Sequence, residues 1–498
     1  MIPSATTFRR WAGACALATV GGACLRQAVS TAPAPARHGL SELRQTIDSL
    51  VALPAFRNAQ WGVLMVDPQR GDTLYSRNAG KLFMPASNMK LVTTGVALTT
   101  LGLDYRYVTT LAARGPVVDG ALHGDLLVFG RGDPTVSDQM RGDAMAPLRD
   151  MADSLYAAGI RRIVGGVRLG ADVFPGPTLG DGWMWDDLDT PDGAAVDELL
   201  FNDGVGVLHV TPASTPGQAP SVTTTPARSY PMVNVLARTV SAGDTVLLRA
   251  DPLRAVKDTA SNAMNVFGTI EVGDSAKLAI AFSSPDRAYL AALREALSDR
   301  GISVGDSATD TTAAVDSLVR VSSPTLRDIL PAMLKPSQNQ IAEMLLRTVA
   351  LVSTGVGRAD SARRVEREQL LAWGASPDGF VLRDGSGLTR YDLLSPETIM
   401  RVLDAIRRSP SYEDVYAALP VAGVDGTLKN RMRGATPGSV HAKTGSLTGV
   451  RALSGYITAD DGRTLMFSII CNNFTTPVGL VLDVEDSLVT RLATLRVR

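Results

Sequence analysis

The order of hydrophobic and polar positions near the start of the chain predicts a β-hairpin followed by a helix. Residues 61–66 and 73–75 are alternating apolar runs, and the residues between them favour a turn. After Pro85, an apolar run with a period near 3.6 begins at Ser87 and ends at Gly102. Because proline disfavours helix for the residue before it, we expect the helix to begin close to Ser87.

The middle of the chain has a different texture, with short strands and many turns. Its predicted elements, in order, are strands 108–112 and 122–130, helix 145–158, strands 164–169, 206–211, 245–249 and 278–283, helix 286–298 and strand 302–304. We interpret residues 109–307 as an insertion.

The last third of the chain is helical before it returns to strands. The predicted elements are helices 325–334, 340–352, 360–371 and 396–408, strands 440–444, 452–458 and 464–472, and helix 482–492. We expect the N-terminal hairpin and the three C-terminal strands to form one antiparallel sheet with helices on its faces. The predicted fold class is therefore α+β, with a large inserted module that is mainly β or α+β.

These patterns also predict the domain organisation. An outer domain takes residues 38–108 and 308–498, an inserted domain takes 109–170 and 262–307, and a third domain, 171–261, is nested in the second. The chain has 498 residues, which is enough for about three domains.

Composition excludes several classes of function. Hydrophobic residues make up 45% of the chain and charged residues 20%, as is typical of globular proteins. The 49 Lys and Arg residues nearly balance the 50 Asp and Glu residues, so the sequence indicates no basic surface for nucleic acid or anionic membranes. Aromatic residues are only 5%, which argues against surfaces that stack on bases. We expect no nucleic-acid partner.

Residues 1–27 are typical of an export signal. Arg9 and Arg10 precede a short apolar segment, 11–23, which is too short for a comfortable membrane span. Residues 22–24 end in Cys24 and resemble the end of a bacterial lipobox, which predicts a lipid on that cysteine. The alternative is a cleaved signal followed by a linker, 28–37. Either way we expect an exported protein, in the periplasm or cell envelope and either soluble or lipid-anchored.

Cysteine and histidine usage predicts no metal site and no disulfide framework. Cys471 is the only cysteine in the folded body, and the four histidines have no paired spacing. The four aspartates at 186, 187, 189 and 192 miss the spacing of a calcium loop, and we expect them to form a solvated acidic loop. We expect no cofactor.

Ser87 and Lys90 are the first candidate for catalysis. Residues three apart on a helix share a face, so the Lys90 amine can reach the Ser87 hydroxyl. A serine hydroxyl becomes a good nucleophile when a neighbouring base takes its proton, and a desolvated lysine can be that base. Taken alone, the pair is more simply explained by an exposed Ser and Lys on an ordinary surface helix.

Two later stretches carry matching chemistry. Ser337 and Asn339 flank Gln338 just before a predicted helix, which is also a common helix-entry pattern. Residues 443–446 read Lys-Thr-Gly-Ser at a predicted strand, where the glycine allows a substrate backbone to lie against the strand edge, although a simple turn also fits. Ser-x-x-Lys, Ser-x-Asn and Lys-Thr-Gly, in this order and on these elements, form the set found in β-lactamases and penicillin-binding proteins.

Further segments extend that resemblance over nearly all of the chain after residue 50. They include residues 78–87, 124–134, 182–187, 339–343, 384–388 and 423–428. With the large insertion, they resemble the low-molecular-mass class C penicillin-binding proteins, the D-alanyl-D-alanine carboxypeptidase/endopeptidase family. One departure is Gln338, which stands where the common middle motif has aspartate.

The resemblance implies a serine DD-peptidase that cleaves D-alanyl-D-alanine or D-alanyl-diaminopimelate bonds of peptidoglycan stem peptides and is acylated by β-lactams. Ser87 is then the nucleophile, Lys90 its base, Ser337 a proton relay, and Asn339 the residue that holds the lysine and the substrate amide. The implied ligands of the terminal carboxylate are Lys443 and Thr444, followed on the strand by Gly445 and Ser446. The backbone N–H groups of Ser87 and Ser446 form the implied oxyanion hole.

Two weaker correspondences concern the side chain of the substrate. Arg390 matches an arginine that meets a carboxylate there, and Asp172 resembles an aspartate of the inserted region that contacts the amine of diaminopimelate. Ordinary turn and strand-end positions remain open for both. Two alternative functions also remain: a β-lactamase or esterase on the same scaffold, and a non-catalytic protein that binds the cell wall.

Overall fold

The structure is a computed structural model that describes residues 39–258, 261, 263–307, 311–433 and 438–495. The predicted signal 1–27 with Cys24 and the linker 28–37 lie outside the described residues, so these stay predictions. No helix in the described part of the chain is both long and apolar enough to cross a membrane.

Helices and short strands alternate along the described residues. The helices are α1 (Leu40–Val51), α2 (Met89–Thr100), α3 (Asp138–Arg141), α4 (Ala146–Ala157), α5 (Thr245–Ala250), α6 (Pro285–Asp299), α7 (Leu326–Leu334), α8 (Asn339–Thr354), α9 (Ala359–Ala372), α10 (Pro396–Arg408), α11 (Tyr412–Ala418) and α12 (Val478–Ala493). The strands of the first half are β1 (Gln60–Asp67), β2 (Asp72–Arg77), β3 (Arg106–Arg114), β4 (Val117–Val118), β5 (Ala121–Leu122), β6 (Asp125–Phe129), β7 (Arg162–Ile163), β8 (Val167–Leu169), β9 (Val205–Thr211), β10 (Ser221–Thr225), β11 (Val233–Val235) and β12 (Arg238–Val240). The remaining strands are β13 (Arg254–Asp258), β14 (Ala263–Phe267), β15 (Thr269–Glu271), β16 (Ala276–Ala281), β17 (Ser303–Val304), β18 (Val315–Thr325), β19 (Phe380–Val381), β20 (Leu393–Leu394), β21 (Val440–Leu447), β22 (Val450–Thr458) and β23 (Thr464–Asn472).

A five-stranded antiparallel sheet joins the two ends of the chain, as the sequence predicts. Its strand order is β2-β1-β23-β22-β21, so the N-terminal hairpin pairs with the last strand. Successive β1 residues point to opposite faces. Val63 and Met65 pack into one cluster with α1 and α12, whereas Leu64 packs into another with α2, α8 and α10. Both faces are therefore buried beneath helices.

The helix α2 lies inside the outer domain rather than on its surface. Every residue from Met89 to Ala97 is buried, because α8, α9 and α10 surround it. A helix that is buried all round must satisfy each polar group internally. Lys90 is one of those groups, which excludes the interpretation of an exposed Ser-Lys pair on a surface helix.

The inserted part of the chain forms several small sheets around its own hydrophobic core. Two four-stranded sheets have the orders β18-β3-β6-β8 and β17-β7-β5-β4, and α4 and α6 pack against this core. The long strand β18 pairs with β3 and leads directly into α7, so it connects the insertion to the outer domain. The boundaries of the three predicted domains stay predictions.

Several sequence-based element predictions were wrong or incomplete. Residues 245–249, predicted as a strand, form the helix α5, because the Asp244 side chain caps it by accepting a hydrogen bond from the N–H of Leu247 at 3.1 Å. The predicted strand 122–130 is two strands in different sheets, β5 and β6. Between them the backbone of Gly124 passes so close to the Arg114 carbonyl that a Cβ would lie 1.6 Å from its oxygen. Likewise 164–169 contains only β8, and α1, α11 and β18 were not predicted.

Candidate active site

Ser87 lies in a tight 3₁₀ turn, Ala86–Asn88, immediately before α2. The preceding residue, Ala86, has a φ of 46°, a conformation that costs free energy for a residue with a Cβ and is common at functional sites. The buried Asn88 side chain fixes the turn to the central sheet by donating to the Ser454 hydroxyl at 2.8 Å. The turn therefore holds Ser87 at the junction of sheet and helix.

Lys90 is fully buried, and its amine makes three hydrogen bonds. It donates to the Ser87 hydroxyl at 3.0 Å, to Oδ1 of Asn339 at 2.7 Å and to the carbonyl of Ser386 at 2.7 Å. Burial lowers the pKa of Lys90 to about 8, and the negative charges of Asp384 and other nearby carboxylates limit this shift. An amine with this pKa is neutral in a substantial fraction near neutral pH and can accept a proton from Ser87.

Ser337 and Lys443 form a second hydroxyl–amine pair. Lys443 is fully buried and donates to the Ser337 hydroxyl at 2.8 Å and to the carbonyl of Thr444 at 2.9 Å. Ser337 has a φ of 70°, in the same unfavourable backbone region as Ala86 beside Ser87. Burial, together with the positive charge of Lys90, holds the pKa of Lys443 well below its usual range. That charge effect shows that the two amines share one electrostatic environment.

The Lys-Thr-Gly-Ser stretch lies on β21, the edge strand of the central sheet. The Thr444 hydroxyl donates to the Thr427 hydroxyl at 2.7 Å, and Ser446 is exposed. At Gly445 a Cβ would lie 2.6 Å from the carbonyl oxygen of Pro85, so only glycine lets the strand pass this close to the turn of Ser87. An edge strand offers unpaired backbone groups to an extended peptide.

The two weaker candidates lie in different surroundings. The guanidinium of Arg390 donates to the carbonyl of Thr448, one residue beyond β21, at 2.9 Å. Burial and the neighbouring Asp186 raise the pKa of Asp187, and the positive charge of Arg390 opposes this shift. Asp172 is exposed. Its negative charge acts to raise the pKa of Glu198 and that of Arg347. Within the described part of the chain, the structure does not bring Asp172 into the Ser87 cluster.

The roles of two buried carboxyl groups near Lys90, those of Asp384 and Glu343, were not predicted from the sequence. Asp384 is buried and accepts hydrogen bonds from the N–H groups of Ser386 at 3.1 Å, Gly387 at 2.6 Å and Thr389 at 2.8 Å. Glu343 is also buried and accepts from the N–H groups of Gly385 at 3.0 Å and Ser386 at 2.8 Å. These bonds fix the loop 384–389, whose Ser386 carbonyl binds Lys90. The turn-forming Asp-Gly-Ser-Gly run was the available signal.

The predicted acidic loop is only partly solvated. The side chains of Asp186, Asp189 and Asp192 are exposed, but the Asp192 carbonyl accepts a hydrogen bond from the Asn339 amide at 3.0 Å. Among the residues that the structure describes, no group of three or more His, Cys, Asp or Glu side chains is arranged to hold a metal ion. The absence of a cofactor stays a prediction.

Known proteins share both the sequence and the fold of this chain. Residues 43–495 match the D-Ala-D-Ala carboxypeptidase 3 (S13) family. D-alanyl-D-alanine carboxypeptidase from Actinomadura sp. (strain R39) is 35% identical over 474 residues, which cover 91% of this chain and 85% of that protein. D-alanyl-D-alanine carboxypeptidase DacB from Haemophilus influenzae is 27% identical over 485 residues, covering 92% of this chain and 93% of that protein.

A solved structure is similar over the same length. The crystal structure of penicillin binding protein 4 (dacB) from Haemophilus influenzae has a TM-score of 0.76 and 25% sequence identity, covering 90% of this chain and 99% of that chain. The same protein has also been solved in complex with a β-lactam. The α+β, penicillin-binding-protein-like fold and the resemblance found in the sequence are thereby confirmed. This chain belongs to the D-Ala-D-Ala carboxypeptidase 3 (S13) family.

Proposed function

We propose that this chain is a serine DD-peptidase in which Ser87 is the nucleophile and Lys90 its general base. The observation that carries the proposal is the 3.0 Å hydrogen bond between the Lys90 amine and the Ser87 hydroxyl, made by an amine that is fully buried. Burial is what makes a lysine available as a base, because it disfavours the charged form. The family of the chain and the names of its relatives support the same reaction.

The reaction passes through an acyl-enzyme. Ser87 Oγ attacks the carbonyl carbon of the D-alanyl peptide bond while Lys90 takes the hydroxyl proton. The C–N bond then breaks, and the proton that Lys90 took passes through the Ser337 hydroxyl to the leaving amine. The Ser337 hydroxyl is hydrogen-bonded to Lys443. The N–H groups of Ser87 and Ser446 are the proposed donors to the oxyanion. Water then attacks the ester carbonyl: its oxygen joins the acyl carbon, one of its protons passes to Ser87 Oγ as the C–O bond breaks, and the acyl group leaves as a carboxylic acid.

The substrate class follows from what lies along β21. Lys443 and Thr444 are the proposed ligands of the terminal carboxylate, because a cation and a hydroxyl stand next to each other on a strand edge. Asn339 presents its amide beside Lys90 and is the proposed partner of the substrate backbone. Peptidoglycan stem peptides supply both the terminal carboxylate and the D-alanyl amide, and β-lactams acylate the same serine.

The side chain of the stem peptide has two proposed partners. Arg390 lies just beyond β21 and is half-buried, which suits a carboxylate carried by the substrate. Asp172 is the proposed partner of a free amine, supported by its exposure and by the sequence correspondence. Exchange of a diaminopimelate for a lysine stem peptide removes that carboxylate, so it provides the direct comparison for Arg390.

We also propose that the protein is exported, with residues 1–27 as the signal. The support is the arginine pair followed by the short apolar segment, and a substrate that lies outside the cytoplasmic membrane. The intact mass of the protein from the cell envelope reports whether residues 1–27 have been removed and whether Cys24 carries a lipid. A full-length unmodified chain would refute the proposal.

Replacement of Ser87 by alanine tests the nucleophile. We expect wild type to form a covalent adduct with fluorescent penicillin at Ser87 and Ser87→Ala to form none, with unchanged thermal unfolding. The matched control is Ser49→Ala, an exposed serine on α1, which should label as wild type does. Peptide mass spectrometry identifies the acylated residue. An adduct elsewhere would contradict the proposal, and rapid release of a hydrolysed cephalosporin would indicate a β-lactamase instead.

The pH dependence of acylation tests Lys90 as the base. Only the neutral amine accepts the Ser87 proton, so the acylation rate should rise as pH increases and level off above the Lys90 pKa of about 8. The measurement is the second-order rate constant for penicillin over a pH series. Lys90→Met should lower that constant at every pH and abolish the rise. A rate in wild type that does not depend on pH through this range would exclude Lys90 as the titrating base.

Replacement of Thr444 by valine tests the carboxylate site. Loss of one hydrogen bond to a charged group should lower kcat/KM for a peptide that ends in free D-alanine by about tenfold. The matched control is a change in the substrate. The same peptide with a C-terminal amide lacks the negative charge, so wild type should cleave it more slowly, and Thr444→Val should lower its kcat/KM much less. Equal losses for both peptides would mean that Thr444 does not recognise the carboxylate.

A further inference from the structure

A segment of the insertion contacts the residues that hold Lys90 at two separate points. This bridging segment, residues 180–194, lies between β8 and β9. At one point the indole Nε1 of Trp183 donates to Oδ2 of Asp384 at 2.9 Å. At the other, the Asp192 carbonyl accepts from the amide Nδ2 of Asn339 at 3.0 Å. The insertion therefore reaches the catalytic residues directly.

Two glycines shape the first contact. At Gly180 a Cβ would lie 2.1 Å from Nε1 of Trp183, so the chain could not fold back against the indole with any larger residue. Gly182 has a φ of 81°, and a Cβ there would lie 2.3 Å from the Tyr391 ring. Both glycines are therefore needed for Trp183 to dock closely against residues 384–391.

The Trp183–Asp384 bond acts on Lys90 through one further step. Asp384 binds three backbone N–H groups of the loop 384–389 besides the indole. The Ser386 carbonyl of the same loop accepts a hydrogen bond from Lys90 at 2.7 Å. Without the indole, Asp384 would keep three of its four hydrogen-bond donors and would hold the loop 384–389 less firmly. The position of the Ser386 carbonyl depends on that loop.

The second contact determines the orientation of the Asn339 amide. Because Nδ2 donates to the Asp192 carbonyl, Oδ1 faces the Lys90 amine and accepts from it at 2.7 Å. Gln340 reinforces this end of the bridging segment by donating to the carbonyls of Pro191 and Ala194, each at 3.1 Å. Two of the three acceptors around Lys90 thus depend on the insertion.

We propose that the bridging segment positions the general base, and that Trp183 is a positioning residue for Lys90 through Asp384 and Ser386. This inference rests on the proposed function, in which Lys90 is the base. It assigns the insertion a role in the chemical step. The segment orders the acceptors that keep the amine aimed at Ser87.

The charges that face Lys90 set the sign of the expected effect. They come from Asp384 in the loop, Glu343 on α8, Asp192 in the bridging segment and Lys443 on β21. Glu366 on α9 lies beside the next turn of α2, where its carboxylate accepts a hydrogen bond from the Thr93 hydroxyl. The positive end of the indole N–H dipole offsets part of the Asp384 charge. Without it Lys90 should keep its proton to higher pH.

Trp183→Phe tests the inference, because phenylalanine keeps an aromatic ring and removes the donor. We expect the rate constant for acylation by fluorescent penicillin to fall about tenfold, and the midpoint of its pH profile to move to higher pH, while all the protein still becomes labelled. The matched control is Trp185→Phe, two residues away and 71% exposed, whose rate and midpoint should equal those of wild type.

Gly182→Ala provides a second, independent variant in case Trp183→Phe does not fold. It keeps the indole but pushes the segment away from Tyr391, so it should produce the same two changes. A lower rate with an unmoved midpoint, or a rate equal to that of wild type, would overturn the positioning role. These outcomes are distinct from failure of the proposed function, in which wild type itself would not be acylated at Ser87.

Discussion

The active site depends on one buried amine. Removal of a lysine from water is costly unless its donors find acceptors, and at Lys90 all three do. Those acceptors come from α2's own turn, from α8 and from the loop 384–389. The burial that lowers the pKa of this amine thus also requires three parts of the chain to meet around it. The same requirement explains why α2 is enclosed on every side.

Several buried carboxyl groups lie around the residues that bind Lys90. Asp384 accepts four hydrogen bonds, three from backbone N–H groups of its own loop and one from the Trp183 indole. Burial and the charge of Asp384 raise the pKa of Glu343, and they raise the pKa of Asp392 as well. Burial and the charge of Glu343 raise the pKa of Glu366. The negative charges of Asp384, Glu343 and Asp192 favour the protonated form of Lys90 and so oppose the effect of its burial. Excess negative charge would hold the proton on Lys90.

The sequence was informative where chemistry and periodicity are local. The Ser-x-x-Lys spacing predicts the contact of Ser87 with Lys90, and the strands of the central sheet appear close to their predicted bounds because their apolar runs are long. It was uninformative where a residue's role is set by distant partners. Asp384 looks like a turn residue, and Trp183 looks like part of a loop, until the fold brings them together. In the insertion, consecutive short strands belong to different sheets. The close backbone contacts between them leave little trace in the pattern of hydrophobic residues.

The pairing of β1 with β23 has a consequence for how the molecule assembles. Val63 lies opposite Ile469, so this contact closes a loop of about 400 residues, and such distant pairings form late and slowly. The insertion is contiguous in sequence from β3 to β18 and has its own core, so contacts within that core can form before β23 has been synthesised. Asn88, next to Ser87, gains its partner Ser454 only when β22 has joined the central sheet. Synthesis from the N-terminus therefore produces Ser87 long before the strands that complete its surroundings.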